Sequence, residues 1–473
     1  NDFIAWADTI KKFRTEQGIL TEVKTITEVG GNTSEAIKNY IHNAYLSWDI
    51  PPTAVLLLAD YCNEGEAGGI TSPGYFHPIG GTYITDNSYA DVNNDFLPDI
   101  VLARITARNE NELQLMVRKF IQYESNPPTN PGFYKNPVTA LGWQTDRWFQ
   151  ICSETIGGFW KKKLNKTPVR INAIYNGSPE YYWSTATSTN SVLNYFGPLG
   201  LNYIPQFPIL LGGWDGGSPS DISNAIHNGA FMVMHRDHGE EQKWGEPLYS
   251  NTNIEQLSNN DLSFILSINC LNGRFDYEQE SFAEKFHRHS FNGNKAGALG
   301  ITAASQVSYS FVNDVFAWGL IDNMWPDFLD DYGSPSVNPF ILPAFGNLAG
   351  KYYLQQSSWP YNPDMKIITY EIFHHHGDAF LNIFSETPRQ QLVICPDILI
   401  QGCDSINIHA ESGSYIALSY TDNQSQETHL LSSFYSSGSA VSLGLDNLPP
   451  DITNVLLTST KQNHFRYHKN IPI

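Results

Sequence analysis

Basic residues are scarce in this chain. Lysine and arginine total 28 against 48 aspartates and glutamates, and the formal charge of −20 argues against nucleic acid or an anionic membrane surface as partner. Charged residues make up only 16% of the total, while Asn, Ser, Gly, Tyr and Phe abound, a composition that suits an exported surface. No apolar run reaches the about 18 residues of a membrane-spanning helix, so no span is expected. A signal peptide is also lacking, and the chain opens on Asn1-Asp2-Phe3 without an initiator methionine, which suggests a mature or trimmed fragment. Cysteine is rare, with five residues. Cys395 and Cys403 are close enough for a small-loop disulfide in an oxidising compartment, and the odd count leaves at least one thiol free. Cys270 is the expected free thiol, whereas Cys62 and Cys152 read as buried small residues.

At 473 residues the chain is too long for one core and indicates two or three domains. Phe3, Ile4, Trp6, Ala7, Ile10 and Phe13 recur at helical spacing, and residues 21–26 alternate like a short strand. Asn32 and Glu35 read as a capping box for a helix with Ala36, Ile37, Tyr40, Ile41 and Ala44 on one face. Residues 53–59 and 98–105 read as buried strands, and 110–123 as an amphipathic helix. Helix alternating with buried strand implies a parallel α/β sheet. Residues 126–132 form the best internal linker. Beyond it come a strand at 138–143, a helix at 148–163, a strand at 169–175, an aromatic stretch without period at 181–214, and a helix at 219–229. From Val393 onward, short alternating stretches with turn residues every 8 to 12 positions predict a small β-sandwich. The expected division is 1–130, 131–388 and 389–473.

The chemistry concentrates in residues 229–277. Two apolar runs, 231–234 and 264–268, have the length and composition of strands buried on both faces. One ends in His235-Arg236-Asp237-His238-Gly239 and the other in Asn269-Cys270-Leu271-Asn272-Gly273. In an open parallel sheet, ligands bind at the carboxyl ends of the strands, so neighbouring strands would deliver an imidazole and a thiol to one crevice. That pairing is a cysteine nucleophile with its base. The stretch resembles the catalytic core of the gingipain family of cysteine peptidases: His238-Gly239, Glu241 and Trp244-Gly245, then Cys270-Leu271-Asn272-Gly273-Arg274-Phe275, then Ser281-Phe282-Ala283-Glu284. The N-terminal stretches FRTEQGILTEVKTI, AVLLLADY and PDIVLARITARNENELQLMVRKFIQYE resemble the same family, although its strand before the first helix is missing here. The resemblance implies a caspase-like α/β fold of mostly parallel sheets flanked by helices in two subdomains, followed by an immunoglobulin-like β-sandwich. It also implies a secreted or cell-surface bacterial endopeptidase acting on proteins or peptides.

On that resemblance Cys270 is the nucleophile, His238 the general base and acid, and the amides of Gly239 and Cys270 the oxyanion donors. The acid that orients the histidine would come from Gln144-Thr145-Asp146, with Asp146 the choice. Trp244, Glu154, Ser308 and Tyr309 are the candidate substrate contacts. Glu154 is the only acid near the position from which the family reads Arg or Lys, so a basic-residue pocket does not follow. No catalytic cofactor is expected. Asp86, Asp91, Asn93, Asp95 and Asp99 carry oxygen ligands at short alternate spacing, as calcium would want, against a plain Asx-rich turn; the family carries structural calcium in this region. Alternatives are a sortase-like transpeptidase of the same family, an inactive binding or adhesion relative, and a His235/His238/Cys270 metal site. His374-His375-His376 resembles the family's final strand turn, and neighbouring strand residues face opposite ways, which disfavours a metal triplet.

Overall fold

The structure, a computed structural model, describes residues 3–330, 339–445 and 448–473. Eight strands build the central sheet: β1 (Ala54–Leu58), β2 (Val101–Ile105), β3 (Val138–Gln144), β4 (Val169–Asn176), β5 (Met232–Arg236), β6 (Ser263–Ile268), β7 (Ala298–Ala304) and β8 (Phe373–His376). Their spatial order is β1-β2-β8-β7-β6-β5-β3-β4. Every neighbouring pair is parallel except β7 with β8. Strands β3, β5, β6 and β7 are buried at every residue, which is why they read as continuous runs and not as alternation. Successive residues feed opposite cores. Met232, Met234, Phe264 and Leu266 face one cluster, while Val233 and Ile265 face the other.

The main helices are α1 (Ile4–Glu16), α2 (Ser34–Ser47), α3 (Glu110–Ser125), α4 (Phe149–Lys162), α5 (Pro219–Asn228), α6 (Phe282–Arg288), α7 (Val312–Met324) and α8 (Pro343–Gln356). Helix α5 starts at a Ser218/Asp221 capping box with Pro219 in its first turn, and it stops at Gly229, whose φ of +94° suits glycine. Helices α7 and α8 press together through glycines. A Cβ on Gly350 would lie 2.6 Å from the Phe316 carbonyl oxygen, so a larger residue would force them apart. The aromatic stretch 181–214 holds a helix, Thr189–Phe196, and a 3-10 turn, Pro208–Leu210. It drops Trp183, Phe196, Tyr203 and Trp214 into the same core as α4.

Three expectations are corrected. Residues 21–26 form no strand. The cap of α2 is Thr33, whose hydroxyl accepts from the Ala36 amide, while the Asn32 side chain instead binds the loop at Cys62, Glu66 and Gly69. The expected two subdomains share one sheet: β8, built from the histidine triplet, pairs β2 on one side and β7 on the other. The residues before the linker are thereby joined to those after it.

The C-terminal part holds β9 (Val393–Ile394), β10 (Ser405–Ala410), β11 (Tyr415–Thr421), β12 (Thr428–Tyr435), β13 (Val441–Gly444), β14 (Asn454–Thr460) and β15 (Tyr467–Pro472). They form two antiparallel sheets, β9-β10-β13 and β12-β11-β14-β15. Ile406 and Ile408 of one meet Ile416, Leu418, Val455 and Leu457 of the other in a shared core. The Tyr415 hydroxyl donates to the Gly18 carbonyl at 3.0 Å, tying this unit to the end of α1. The expected Cys395–Cys403 disulfide is not formed. Both thiols are free, Cys403 exposed and Cys395 beside the Tyr467 hydroxyl.

Candidate active site

Strands β5 and β6 are adjacent and parallel, with Arg236 opposite Ile268. His238 and Cys270 each follow two residues later, so they leave the sheet side by side from strands about 4.8 Å apart. Their loops touch. A Cβ on Gly239 would stand 2.7 Å from the Cys270 carbonyl oxygen and 2.8 Å from the Asn269 side chain, so only glycine permits this approach. The Asn272 side-chain amide donates to the carbonyls of Glu240 and Lys243, the latter at 3.0 Å, and so staples one loop to the other. Leu271 takes a φ of +64°, and the Gly273 amide donates to Ala304 at 2.8 Å. This fastens the thiol's turn to the end of β7.

The Cys270 thiol is half-buried and engages Ser308. The Ser308 amide donates to Sγ at 3.3 Å, and the thiol faces the Ser308 carbonyl oxygen at 3.4 Å. Ser308 is itself held, its hydroxyl donating to Asn269 O at 2.9 Å and accepting from Asn313 at 2.7 Å. His238 Nε2 lies 2.7 Å from Gln144 Oε1, and Gln144 Nε2 donates to Asp146 Oδ1 at 2.8 Å. Phe149 meets the imidazole edge-on at 5.4 Å between ring centres, and Tyr175 covers it at 4.7 Å. Burial, then Arg236 and Arg147, lower the His238 pKa from its ordinary value.

Behind this pair stands a fixed layer. His235 stacks on Trp244 at 4.3 Å and 3°, with Nδ1 2.8 Å from Asn269 Nδ2 and Nε2 3.1 Å from Glu246 O. Burial pushes its pKa down to about 3, so the ring is neutral. Arg236 forms a buried ion pair with Asp314 of α7 at 2.6 Å and lies over the Phe149 ring at 4.0 Å. Asp237 turns away from the imidazole, accepting from the Glu246 amide at 2.6 Å, and burial raises its pKa to about 7.

Gly239 and Ser308 lie against Cys270, and Tyr309 follows Ser308 in the same loop. Other candidates are engaged elsewhere. Asp146 reaches the imidazole only through Gln144 and is otherwise paired with Arg147 at 2.6 Å. Glu154 is buried against Arg170 of β4 at 2.7 Å, where its charge is already matched. Trp244 is fully buried, its indole donating to Ser267 at 2.8 Å, and cannot touch substrate. The His235/His238/Cys270 metal site fails because both His235 ring nitrogens are taken. The candidate calcium donors already have partners. Asp86 binds Arg104 in the core at 2.8 Å. Asp91, Asn93, Asp95 and Asp99 accept from nearby backbone amides, an Asx-rich turn. Among the described residues no group of three or more His, Cys, Asp or Glu is placed to hold a metal ion. One contributor had no signal in the sequence: the hairpin Gly74–His77 and Gly81–Ile84, whose His77 stacks on Tyr309 at 5.6 Å and 12°.

The family model for peptidase family C25 matches residues 1–383. The chain belongs to peptidase family C25. Lys-gingipain of Porphyromonas gingivalis is 22% identical over 439 residues, covering 86% of this chain and 22% of the relative. Gingipain R2 of the same organism is 23% identical over 310 residues, covering 64% and 34%. The chain thus spans only about a fifth to a third of these relatives. Among solved structures, the Arg-specific cysteine proteinase gingipain R aligns with a TM-score of 0.75 at 17% identity over 100% of this chain and 94% of that one. A complex of pro- and mature domains from Porphyromonas gingivalis aligns equally well, at 0.75 and 17%, covering 100% and 96%. This likeness establishes the α/β fold with its large, mostly parallel sheet. Among the described residues no helix is long and apolar enough to cross a membrane.

Proposed function

We propose that this chain is a cysteine endopeptidase that cleaves protein substrates through an acyl-enzyme thioester, at or outside the cell surface. The observation that carries the reading is the placement of His238 and Cys270 at the carboxyl ends of adjacent strands, with Gly239 packed on the Cys270 carbonyl. The thiol proton passes to His238, and the thiolate attacks the peptide carbonyl. Before substrate enters, the Ser308 amide holds Sγ at 3.3 Å. The amides of Gly239 and Cys270 stabilise the oxyanion. The imidazolium then protonates the departing amine, and water, activated by the same imidazole, hydrolyses the thioester. In the resting arrangement Sγ faces Ser308 and the imidazole faces Gln144. A side-chain rotation at Cys270 brings the thiol to the ring when substrate enters, as catalytic contacts often tighten only in the complex.

The names of the relatives specify Arg and Lys. In this chain Glu154, the acid nearest that role, is matched by Arg170, so we assign no basic-residue pocket to it. The two stacked C-terminal sheets fit an immunoglobulin-like sandwich with a structural role. The test is a peptide-library digest. Wild type is expected to cut and Cys270→Ala to be inert; equal cutting by both would overturn the assignment.

A further inference from the structure

The amide at residue 144 has a defined direction. Asp146 carries only acceptors when ionised, so the Gln144 atom 2.8 Å from its Oδ1 must be the NH₂ end. The carbonyl end then faces His238 Nε2 at 2.7 Å, and because an amide oxygen can only accept, Nε2 must carry the proton. The ring's Nδ1 is left as the lone-pair nitrogen for the thiol. Asp146 is in turn anchored by Arg147 at 2.6 Å, which completes a relay His238–Gln144–Asp146–Arg147.

We propose that Gln144 is the positioning residue of His238, that Asp146 acts through it by fixing which end of the amide faces the imidazole, and that the Cys270–His238 pair therefore rests uncharged. This rests on the peptidase reading above. A neutral amide supports an imidazolium far less than a carboxylate would at the same distance. The charged and titratable groups around the ring add little anionic help. Arg236 from the end of β5 and Arg147 from the loop after β3 both disfavour the cation, and of the acids only Asp146 favours it. Asp237 points into the protein, Tyr175 of β4 is a phenol, and Tyr309 flanks Cys270 from the loop after β7. The thiol therefore loses its proton to the imidazole only as the reaction proceeds.

The experiment follows alkylation of Cys270 by iodoacetamide against pH, alongside peptide hydrolysis, in wild type, Gln144→Glu, Asp146→Asn and Asp146→Ala, with Cys270→Ala as the labelling blank. Wild-type labelling should keep rising with pH and show no plateau at pH 6 to 7. Gln144→Glu places an anion on the imidazole and should move the profile down by about one pH unit or more, roughly tenfold faster labelling at pH 6.5. Asp146→Ala should lower kcat several-fold with KM unchanged, and Asp146→Asn, which can still accept from the amide, should keep most of the activity. A plateau at pH 6 in wild type, an unmoved Gln144→Glu profile, or an Asp146→Ala enzyme with full kcat would each overturn the proposal. If wild type and Cys270→Ala both fail to cut peptides, the peptidase reading fails, while the alkylation profiles still decide the state of the pair.

Discussion

His375 of β8 offers a direct measure of how deeply this strand is embedded. Its ring stacks on Phe264 at 5.6 Å and 13°, Nε2 lies 3.2 Å from the Asp378 carbonyl, Nδ1 has no hydrogen-bond partner among the described residues, and 1% of the residue is exposed. Burial lowers its pKa to about 4, with the Asp378 carbonyl opposing only in part. Above pH of about 6.5 the residue is neutral in both folded and unfolded chains and pH has no effect through it. Below that, the unfolded chain takes a proton that the folded one refuses until pH falls to about 4, so stability drops by about 1.4 kcal/mol per pH unit across the window. Between pH 7.5 and 5 the loss through this one residue is about 2 kcal/mol. Leucine at 375 has no such slope. Urea unfolding followed by tryptophan fluorescence should show His375→Leu destabilised by about 1–2 kcal/mol at pH 7.5, from the lost hydrogen bond. That deficit should shrink or reverse by about 2 kcal/mol at pH 5. His374, His376 and His287 are depressed in the same sense, whereas burial raises Asp237 and Asp322 to about 7, which works the other way. The difference between the two proteins cancels these shared terms. An identical difference at both pH values would show that His375 titrates freely, and the burial argument would be wrong.

Other changes give equally definite outcomes. Trp244→Phe should leave substrate preference unchanged but lower the denaturation midpoint, losing about 1–3 kcal/mol because Ser267 forfeits the indole donor inside the core; an altered cleavage pattern would restore Trp244 as a substrate contact. Glu154→Gln should not shift cleavage toward or away from basic residues in the library digest, since its carboxylate already faces Arg170. Gly350→Ala should cost about 1–3 kcal/mol by overpacking α7 against α8, read as a lower thermal midpoint; an unchanged midpoint would mean the helices separate without penalty.

The placement of His238 and Cys270 at strand ends was legible because its signal is local. Residues 231–234 are apolar without interruption and 264–268 are broken only by Ser267, glycines follow each, and consecutive buried strands are usually neighbours in a parallel sheet. The C-terminal strands were legible for the same reason, since period-two alternation needs only a few residues to show. Asp146 was preferred over Gln144 because a carboxylate is the stronger partner for histidine, yet side-chain reach along the end of β3 places the amide first. Glu154 and Trp244 looked available because nothing near them in sequence occupies them, whereas Arg170 and Ser267 lie 16 and 23 positions away.

The amino-acid order by itself determined most of the buried strands and long helices and that His238 and Cys270 follow two of those strands, since hydrophobic period and turn residues act over about 10 residues. Only the tertiary structure decided that β8 bridges the N-terminal strands to the rest, that the Asp86 carboxylate belongs to Arg104, and that an amide holds the imidazole. Those outcomes depend on which distant surfaces meet, and a buried charge or hydrogen-bonding group takes whatever partner packing brings within about 3 Å.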